Sequence, residues 1–259
     1  MTNELPPLPL GDLPTHSLDS HDLATPGRAL VIVAHPDDAE FQCGGTLAKW
    51  ASKDCIISYL VLTDGSKGTW DADRNTEALV EQRRAEQMEA ARRLGAKGKV
   101  VMLGHVDGEL QPTLHVRDQV AYWIRSTRPD VVLAHDPWKR YRLHPDHRNA
   151  GWLALDGIVA ARDPHYFRHH GLDVHRPEFA LLFEADEPDH VEDITGFVDA
   201  KVDALLAHAS QFITTHSIPT NDDGSAAEAF GKRVRDHAET VGSIAGVARG
   251  EAFKILSSL

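Results

Sequence analysis

The stretch ALVIVAHPDD, residues 29–38, contains the first strong structural signal along the chain. Its first six residues form a continuous apolar run with β-branched side chains at the centre, which is typical of a strand buried on both faces. Similar apolar runs follow at residues 56–62, 100–103, 131–134 and 179–183. The pattern predicts a sheet whose strands are covered on both sides.

Helical patterns separate these runs. The clearest one covers residues 76–94, is rich in Glu, Gln, Arg and Ala, and closes at Gly95, a residue suited to a helix C-cap. The others lie at residues 45–53, 116–126, 147–161 and 195–207. Strands that alternate with helices imply right-handed crossovers between parallel strands. We therefore predict an α/β protein with a three-layer Rossmann-like fold and a mostly parallel, twisted sheet.

The two ends of the chain carry weaker signals. Residues 1–28 are rich in Pro, Ser, Asp and His without a period, which predicts a flexible N-terminal arm. Residues 29–259 are expected to form a single domain, with a polar loop over residues 217–227. The final segment, residues 230–259, is expected to be partly helical or extended.

Composition excludes several classes of protein. The formal net charge of −12 disfavours binding to nucleic acid, because phosphate backbones carry the same sign. No apolar run approaches the roughly 20 residues that span a bilayer, and the N-terminus lacks the features of a signal peptide. The only two cysteines, Cys43 and Cys55, are expected to be reduced. We expect a cytoplasmic protein without a membrane span.

Unusual polar residues follow two of the predicted strands. His35-Pro36-Asp37-Asp38 comes directly after the first strand, and His135-Asp136-Pro137-Trp138 and His144-Pro145-Asp146-His147 come after the fourth. In a doubly wound sheet, ligands bind beyond the carboxyl ends of the strands, at a topological switch point. A catalytic zinc site takes about three ligands from His and carboxylates and leaves one position for water. His35, Asp38 and His147 fit that set.

Two neighbours of these ligands are candidates for chemistry. Asp37 would be free to act as a base, because adjacent residues of a turn point in different directions. His144 precedes His147 by three residues across a helix start, so both rings can face one cavity. Asp136 and Asp146 are candidates for the carboxylate that usually holds the outer nitrogen of a ligating imidazole.

Each motif also has a purely structural interpretation. An Asp pair after a strand is often a turn or a helix cap, and the HPDH motif can also simply cap a helix. Gly44-Gly45 comes nine residues after His35, so a dinucleotide fingerprint is disfavoured. Four further histidines are expected in a solvated loop: His165, His169, His170 and His175. Two His/Asp clusters after two different strands make coincidence the weaker explanation.

The chain resembles the LmbE-like, or PIG-L, deacetylases over residues 29–212. The resemblance is carried by AHPDDAEFQCGGTLAKW, VLTDGSKGTWD, RRAEQMEAARRLGA, VDGEL, RPDVVLAHDPWKRYRLHPDHRNAG and EADEPDHVEDITGFVDAKVDALLAHASQF. Residues 213–259 match poorly. The resemblance implies a zinc-dependent amidase, with one Zn²⁺ per chain, that removes the acetyl group from an N-acetylglucosamine-type conjugate.

The resemblance also implies roles for individual residues. His35, Asp38 and His147 correspond to the zinc ligands, and Asp37 corresponds to the general base. His144 corresponds to the residue that stabilises the oxyanion or protonates the amine. Arg83 and Asp107 correspond to residues that contact the sugar. Some members carry a tyrosine two residues before His144, where this chain has Arg142, so we expect additional positive charge near the substrate.

Two other functions use the same constellation. A metal-dependent phosphoesterase would hold two metals about 3.5–4 Å apart with more carboxylate ligands. A non-catalytic sugar- or metal-binding protein would not need the non-ligand Asp37. The expected partner is a small amino-sugar conjugate, and the sequence is compatible with a homo-oligomer. Trp70 and Trp138 are expected either to stack on a sugar face or to be buried against the sheet.

Overall fold

Strand β2 (Arg28–Val33) lies inside the sheet of the computed structural model, which describes residues 8–15, 18 and 20–259. Leu30 and Ile32 pack into one helical layer, and Val31 and Val33 pack into the layer on the opposite face. All four side chains are buried. The apolar run at the start of the quoted stretch is therefore continuous because both faces of the strand are covered.

Eight strands and six helices make up the described chain. The strands are β1 (Ser20–His21), β2 (Arg28–Val33), β3 (Ile56–Thr63), β4 (Val100–His105), β5 (Val131–His135), β6 (Phe179–Phe183), β7 (His190–Asp193) and β8 (Gly250–Leu256). The helices are α1 (Asp38–Ala51), α2 (Thr76–Arg93), α3 (Leu114–Thr127), α4 (Pro145–Arg162), α5 (Val198–Leu205) and α6 (Ser225–Ala245). Short turns of 3₁₀ or π helix occur at Arg168–His170, Ala209–Gln211 and Phe212–His216.

The sheet has the order β1-β7-β8-β6-β5-β2-β3-β4. All neighbouring strands are parallel except β8, which runs antiparallel to both β6 and β7. The α/β class and the mostly parallel Rossmann-like sheet are confirmed. The chain leaves β2 towards β3 on one side and returns to β5 on the other, so the switch point lies between β2 and β5.

Helix α1 differs from its prediction. The prediction of a short amphipathic helix over residues 45–53 was wrong, because the helix begins at Asp38 and all its residues are buried. Gly45 explains the close packing, since a Cβ at this position would lie 2.7 Å from Ile194 Cδ1. Gly44 likewise faces Lys201. The glycine pair therefore allows a buried helix to approach the segment around α5.

The predicted polar loop and C-terminal segment contain regular structure. Helix α6 begins at Ser225, inside the predicted loop over residues 217–227, and β8 inserts between β6 and β7. Within the predicted N-terminal arm, residues 1–7, 16–17 and 19 lie outside the described residues. Ser20–His21 pair with β7 as strand β1. The flexibility of the arm stays a prediction, as does the division into domains.

Two expectations from composition can be compared with the structure. Cys43 and Cys55 are both buried and free. Burial raises the pKa of the Cys43 thiol well above its ordinary value and the pKa of the Cys55 thiol to about 12. Within the described part of the chain, no helix is both long and apolar enough to cross a bilayer.

Candidate active site

The three predicted metal ligands meet at the carboxyl ends of β2 and β5. His35 Nδ1 lies 3.2 Å from His147 Nε2. Asp38 is close to both rings, with Oδ2 3.4 Å from His35 Nδ1 and Oδ1 3.3 Å from His147 Nε2. Two turns that are distant in sequence therefore direct one carboxylate and two imidazoles towards a single point.

Helix α4 presents His147 because it packs closely on the end of β5. His144 occupies the N-cap position and Pro145 is the first residue of the helix. Proline suits this position because the N–H that it lacks would have no acceptor within the helix. A Cβ on Gly151 would lie 2.5 Å from the carbonyl oxygen of His135. Any larger residue at this position would push α4 away from β5 and carry His147 with it.

The spacing and protonation of these groups suit a divalent metal. Donor atoms at about 2.0–2.2 Å from a tetrahedral zinc ion would lie roughly 3.3–3.6 Å apart. The two imidazole nitrogens are 3.2 Å apart, and Asp38 presents Oδ1 to His147 at 3.3 Å and Oδ2 to His35 at 3.4 Å. Although burial raises the pKa of Asp38, nearby His147 and His135 hold it well below its ordinary value. Burial lowers the pKa of His147 to about 4, so its ring is neutral, as a ligand must be.

The outer nitrogen of His35 faces two carboxylates. Nε2 lies 3.1 Å from Asp107 Oδ1 and 3.2 Å from Asp146 Oδ2. Burial alone would lower the pKa of His35, but Asp107, Asp146 and Asp38 raise it well above its ordinary value. Nε2, which faces two carboxylates, is the nitrogen placed to donate a proton, and Nδ1 is left to face Asp38 and His147.

Asp136 and Asp146 were the two residues predicted to hold the outer nitrogen of a ligating imidazole. Of these two, only Asp146 contacts His35. Asp146 is fully buried and also accepts the backbone N–H groups of Gly108 and Leu110, at 2.6 and 3.2 Å. It therefore joins the loop after β4 to the metal centre. Asp136 instead accepts the backbone N–H of Trp138 at 2.9 Å.

Asp37 is held in a strained conformation beside the candidate ligands. Its φ of 98° lies in the left-handed region, which costs a residue other than glycine about 1–3 kcal/mol. Its backbone N–H donates to Gln87 Oε1 at 3.0 Å. Burial raises the pKa of the Asp37 carboxyl to about 6, while Arg83 and His208 oppose that rise. A carboxylate with this pKa can accept a proton near neutral pH.

His144 lies over the same centre. Its ring centroid is 4.6 Å from that of His35 and 5.0 Å from that of His147, on which it stacks. Burial, followed by the proximity of His35, lowers the pKa of His144. A ring nitrogen of His144 lies within 4.8 Å of donor nitrogens on both His35 and His147, so this residue is also within reach of a metal.

The two predicted sugar-binding residues line the cavity but also make structural contacts. Arg83 is buried and donates from Nη1 to Gly65 O at 2.9 Å and from Nη2 to Pro36 O at 2.6 Å. Asp107 accepts the backbone N–H of Lys67 at 3.1 Å in addition to its contact with His35. Both residues support the shape of the site, and their contact with substrate stays a prediction.

Three residues without a predicted role in the candidate metal centre complete its buried side. His135 Nε2 lies 3.2 Å from Asp38 Oδ2, and its Nδ1 lies 3.0 Å from Glu184 Oε2. Arg142 Nη1 lies 2.7 Å from His147 Nδ1 and donates to Glu184 Oε2 at 2.6 Å. Its positive charge is therefore directed at the outer side of His147. The sequence could have indicated His135 and Glu184 through their positions, because each lies at or just after the end of a buried strand.

A cavity of about 340 Å³ opens above the centre and accommodates a sugar-sized ligand. Its wall includes His35, Asp37, His144, Lys67, Trp70 and Thr214. Trp70 is 84% exposed at this cavity, which excludes burial against the sheet, one of the two alternatives expected for it, and leaves stacking on a sugar as the prediction. Trp138 is 56% exposed and lines a different cavity.

The histidine-rich loop is only partly solvated. His169 is exposed, but the side chain of His170 is buried, and both lie near Asp118, at 3.1 and 2.5 Å. These three residues could in principle hold a metal. However, both imidazoles already face the Asp118 carboxylate, and Arg125 Nη1 donates to His170 Nδ1 at 3.2 Å. An ordinary hydrogen-bonded cluster therefore accounts for these residues.

Comparison with known proteins gives consistent matches. A family model described as PIG-L, GlcNAc-PI de-N-acetylase, matches residues 30–157. A diacetylchitobiose deacetylase of Thermococcus kodakarensis is 37% identical over 188 residues, which cover 71% of this chain and 70% of that protein. A probable N-acetyl-α-D-glucosaminyl L-malate deacetylase 2 of Bacillus anthracis is 28% identical over 196 residues, covering 72% and 82%.

A solved structure extends the similarity to most of the fold. The N,N'-diacetylchitobiose deacetylase from Pyrococcus horikoshii, in complex with an inhibitor, superposes with a TM-score of 0.80 at 33% identity. The match covers 90% of this chain and 84% of that one. It therefore reaches beyond the segment that the family model matches.

Proposed function

The chain belongs to the PIG-L family of GlcNAc-PI de-N-acetylases, and on that basis we propose that it is a metal-dependent hydrolase that removes the acetyl group from an N-acetylated amino sugar. His35, Asp38 and His147 hold one zinc ion per chain. Asp37 is the general base, and His144 acts on the oxyanion or on the leaving amine. Arg83 and Asp107 contact the sugar.

The observation that carries this proposal is the position of Asp37. Its carboxylate lines the same cavity as His35 and His147, yet its contacts are with Arg83 rather than with the two imidazoles. A protein that only stored a metal would not need a second, strained aspartate next to the ligands. A hydrolase needs such a residue, because the attacking water must lose a proton as it attacks the carbonyl carbon.

The chain's own groups account for the remaining chemistry. A zinc ion bound here would acidify a water molecule and polarise the acetyl carbonyl. Asp37 accepts the proton of the attacking water, and its pKa of about 6 leaves it ionised at neutral pH. An N–H of His144 can donate to the oxygen on which negative charge develops. Protonation of the nitrogen then releases acetate and the free amine.

The substrate class follows from the relatives and from the cavity. The named relatives act on diacetylchitobiose and, by name, on an N-acetylglucosaminyl malate. Both compounds join an N-acetylglucosamine unit to a second group. A cavity of about 340 Å³ with an exposed Trp70 at its side offers an apolar surface to that second group. The free, buried cysteines support a cytoplasmic location for the reaction.

The test is acetate release combined with metal analysis. Purified protein is incubated with N,N'-diacetylchitobiose, N-acetylglucosaminyl malate and N-acetylglucosaminyl inositol, and acetate and free amine are measured together. We expect equimolar acetate and amine from at least one conjugate and about one zinc ion per chain. Stoichiometric zinc without release from any of the conjugates would favour a binding protein, and two metals per chain would favour a phosphoesterase.

A further inference from the structure

The backbone N–H of Asp37 has a dedicated acceptor on another helix. Gln87, which is fully buried on α2, accepts that N–H through Oε1 at 3.0 Å. Asp37 has a φ of 98°, a conformation that residues other than glycine rarely adopt. A strained residue persists only where its surroundings hold it. Gln87 is placed to hold the peptide that precedes the general base.

The orientation of the Gln87 amide is itself controlled. Nε2 donates to Glu40 Oε1 at 2.9 Å, and Glu40 is also fully buried. A backbone N–H can only donate, so the oxygen of Gln87 must face Asp37 and its NH₂ group faces Glu40. The second oxygen of Glu40 lies 3.4 Å from His208 Nε2 in the protein interior.

The candidate metal ligands are held by other contacts. Asp38 Oδ2 accepts the backbone N–H of His35 at 2.8 Å, and His35 Nε2 is held by Asp107 and Asp146. None of these contacts involves Gln87 or Glu40. A change at Gln87 should therefore disturb the base while leaving the ligands in place.

We propose that Gln87 and Glu40 form a positioning pair that keeps Asp37 in its left-handed conformation and so aims its carboxylate into the cavity. The inference rests on the proposed function for the part that concerns catalysis. Neither residue is among those that line the cavity. Arg83 holds the carbonyl end of the 36–37 peptide, at 2.6 Å from Pro36 O, and Gln87 holds its N–H end. Without the acceptor on Gln87, the N–H end relaxes towards ordinary backbone geometry and the Asp37 carboxylate turns away from the attacking water.

Three variants separate positioning from general stability. Gln87→Met keeps the length of the side chain but removes the acceptor. The double variant Glu40→Gln/Gln87→Glu reverses the pair, because the carboxylate introduced on α2 can accept from both the Asp37 N–H and the new amide on α1. Gln82→Met is the matched control, since Gln82 lies on the same helix and contacts Glu86 and Arg74 rather than Asp37.

The expected results are a selective loss of turnover and its recovery. We expect Gln87→Met to lower kcat about 30-fold or more, since small misplacements of reacting groups can cost about 100-fold, with zinc content and KM nearly unchanged. The double variant should recover kcat to within several-fold of wild type, and Gln82→Met should match wild type. Wild-type kcat in Gln87→Met, or a double variant as slow as Gln87→Met, would overturn the proposal.

A crystal structure of each variant reads the geometry without relying on activity. We expect Asp37 to have a negative φ in Gln87→Met and a positive φ in the double variant. If Gln87→Met does not fold, φ of Asp37 is measured in Glu40→Met instead. That variant keeps the Gln87 side chain but removes the carboxylate to which its NH₂ group donates. If wild type releases no acetate, the proposed function fails, while these structures still decide the role of Gln87. An unchanged Asp37 backbone in the single variants would refute the positioning role of Gln87 and Glu40.

Discussion

His35 Nδ1 lies 3.2 Å from His147 Nε2, although 112 residues separate the two histidines in the chain. The sheet explains this proximity. His35 follows β2, His147 lies in the first turns of the helix that follows β5, and β2 and β5 are hydrogen-bonded neighbours at the switch point. The candidate metal centre thus lies at the ends of two neighbouring central strands, while Lys67 and Trp70 of the cavity wall lie in the segment between β3 and α2.

Replacement of the general base should separate metal binding from turnover. Asp37→Ala removes the carboxylate that accepts the proton of water, so we expect a loss of roughly 10²–10⁴-fold in kcat with zinc content unchanged. In wild type, kcat/KM should rise as the pH passes through about 6, because the base works only when ionised. Acetate release and zinc analysis on the same samples provide the measurement. Full activity with intact zinc would rule out Asp37 as the base.

The outer carboxylate at His35 should control metal affinity. Asp146→Asn places a neutral amide where a carboxylate now accepts from His35 Nε2 and two backbone N–H groups, so we expect zinc to bind about 10–100-fold more weakly. Asp136→Asn is the control, because Asp136 accepts from Trp138 instead. Competition against a chelator measures both affinities. Equal affinities in the two variants would contradict the assignment of Asp146.

The exposed tryptophan at the cavity should favour larger substrates. Trp70→Ala removes the apolar surface available to the second group of a conjugate, so we expect KM for N,N'-diacetylchitobiose to rise about three- to tenfold. KM for N-acetylglucosamine should change less. Trp138→Ala, which removes an exposed tryptophan from a different cavity, should leave both values near wild type. Equal effects of the two changes would exclude a role for Trp70 in recognition.

A buried histidine outside the site should make stability depend on pH. His216 is 1% exposed among Phe41, Phe212 and Phe230, and burial, followed by nearby His208, lowers its pKa to about 3. The unfolded chain binds this proton near pH 6.5, so the stability is fully present above that pH and is lost as pH falls towards 3. The loss amounts to about 2 kcal/mol at pH 5.

The variant His216→Phe should remove that dependence. Neither ring nitrogen of His216 has a hydrogen-bond partner among the described residues, so a phenyl ring leaves no donor or acceptor unmatched. We expect the free energy of unfolding, measured in urea, to fall about 2 kcal/mol less between pH 8 and pH 5 than it does in wild type. The exposed His165→Phe serves as a control. A pH dependence identical to wild type would show that His216 does not titrate on unfolding.

The central strands and the convergence of the ligands could be predicted because both depend on strong local patterns. Strands such as β2 and β5 are buried on both faces and therefore contain almost no polar residues. Strand β7 was missed because its sequence reads HVED. Strand β8, GEAFKIL, was expected only as part of a helical or extended segment, because it follows a helix whose start lies in a polar, turn-rich stretch. Their polar residues are tolerated by specific partners that only the fold brings together.

The supporting residues of the site could not be predicted from local pattern. Gln87 lies in the middle of an ordinary helix, and its contact with Asp37 spans 50 residues. The strain at Asp37 was equally hidden, because the same four residues also fit a simple turn before a helix. Such contacts depend on how α2 docks against α1, which a single sequence does not reveal.

Dependence of deacetylation on one zinc ion is tested by a zinc titration of the metal-stripped protein, with acetate release from N,N'-diacetylchitobiose as the readout. We predict no release before zinc is added, a rise in proportion to zinc, and saturation at one ion per chain. In the stripped His147→Ala variant, the same titration should restore little activity. Acetate release by the fully stripped wild-type protein, or saturation at one ion with unchanged activity in His147→Ala, would contradict the account.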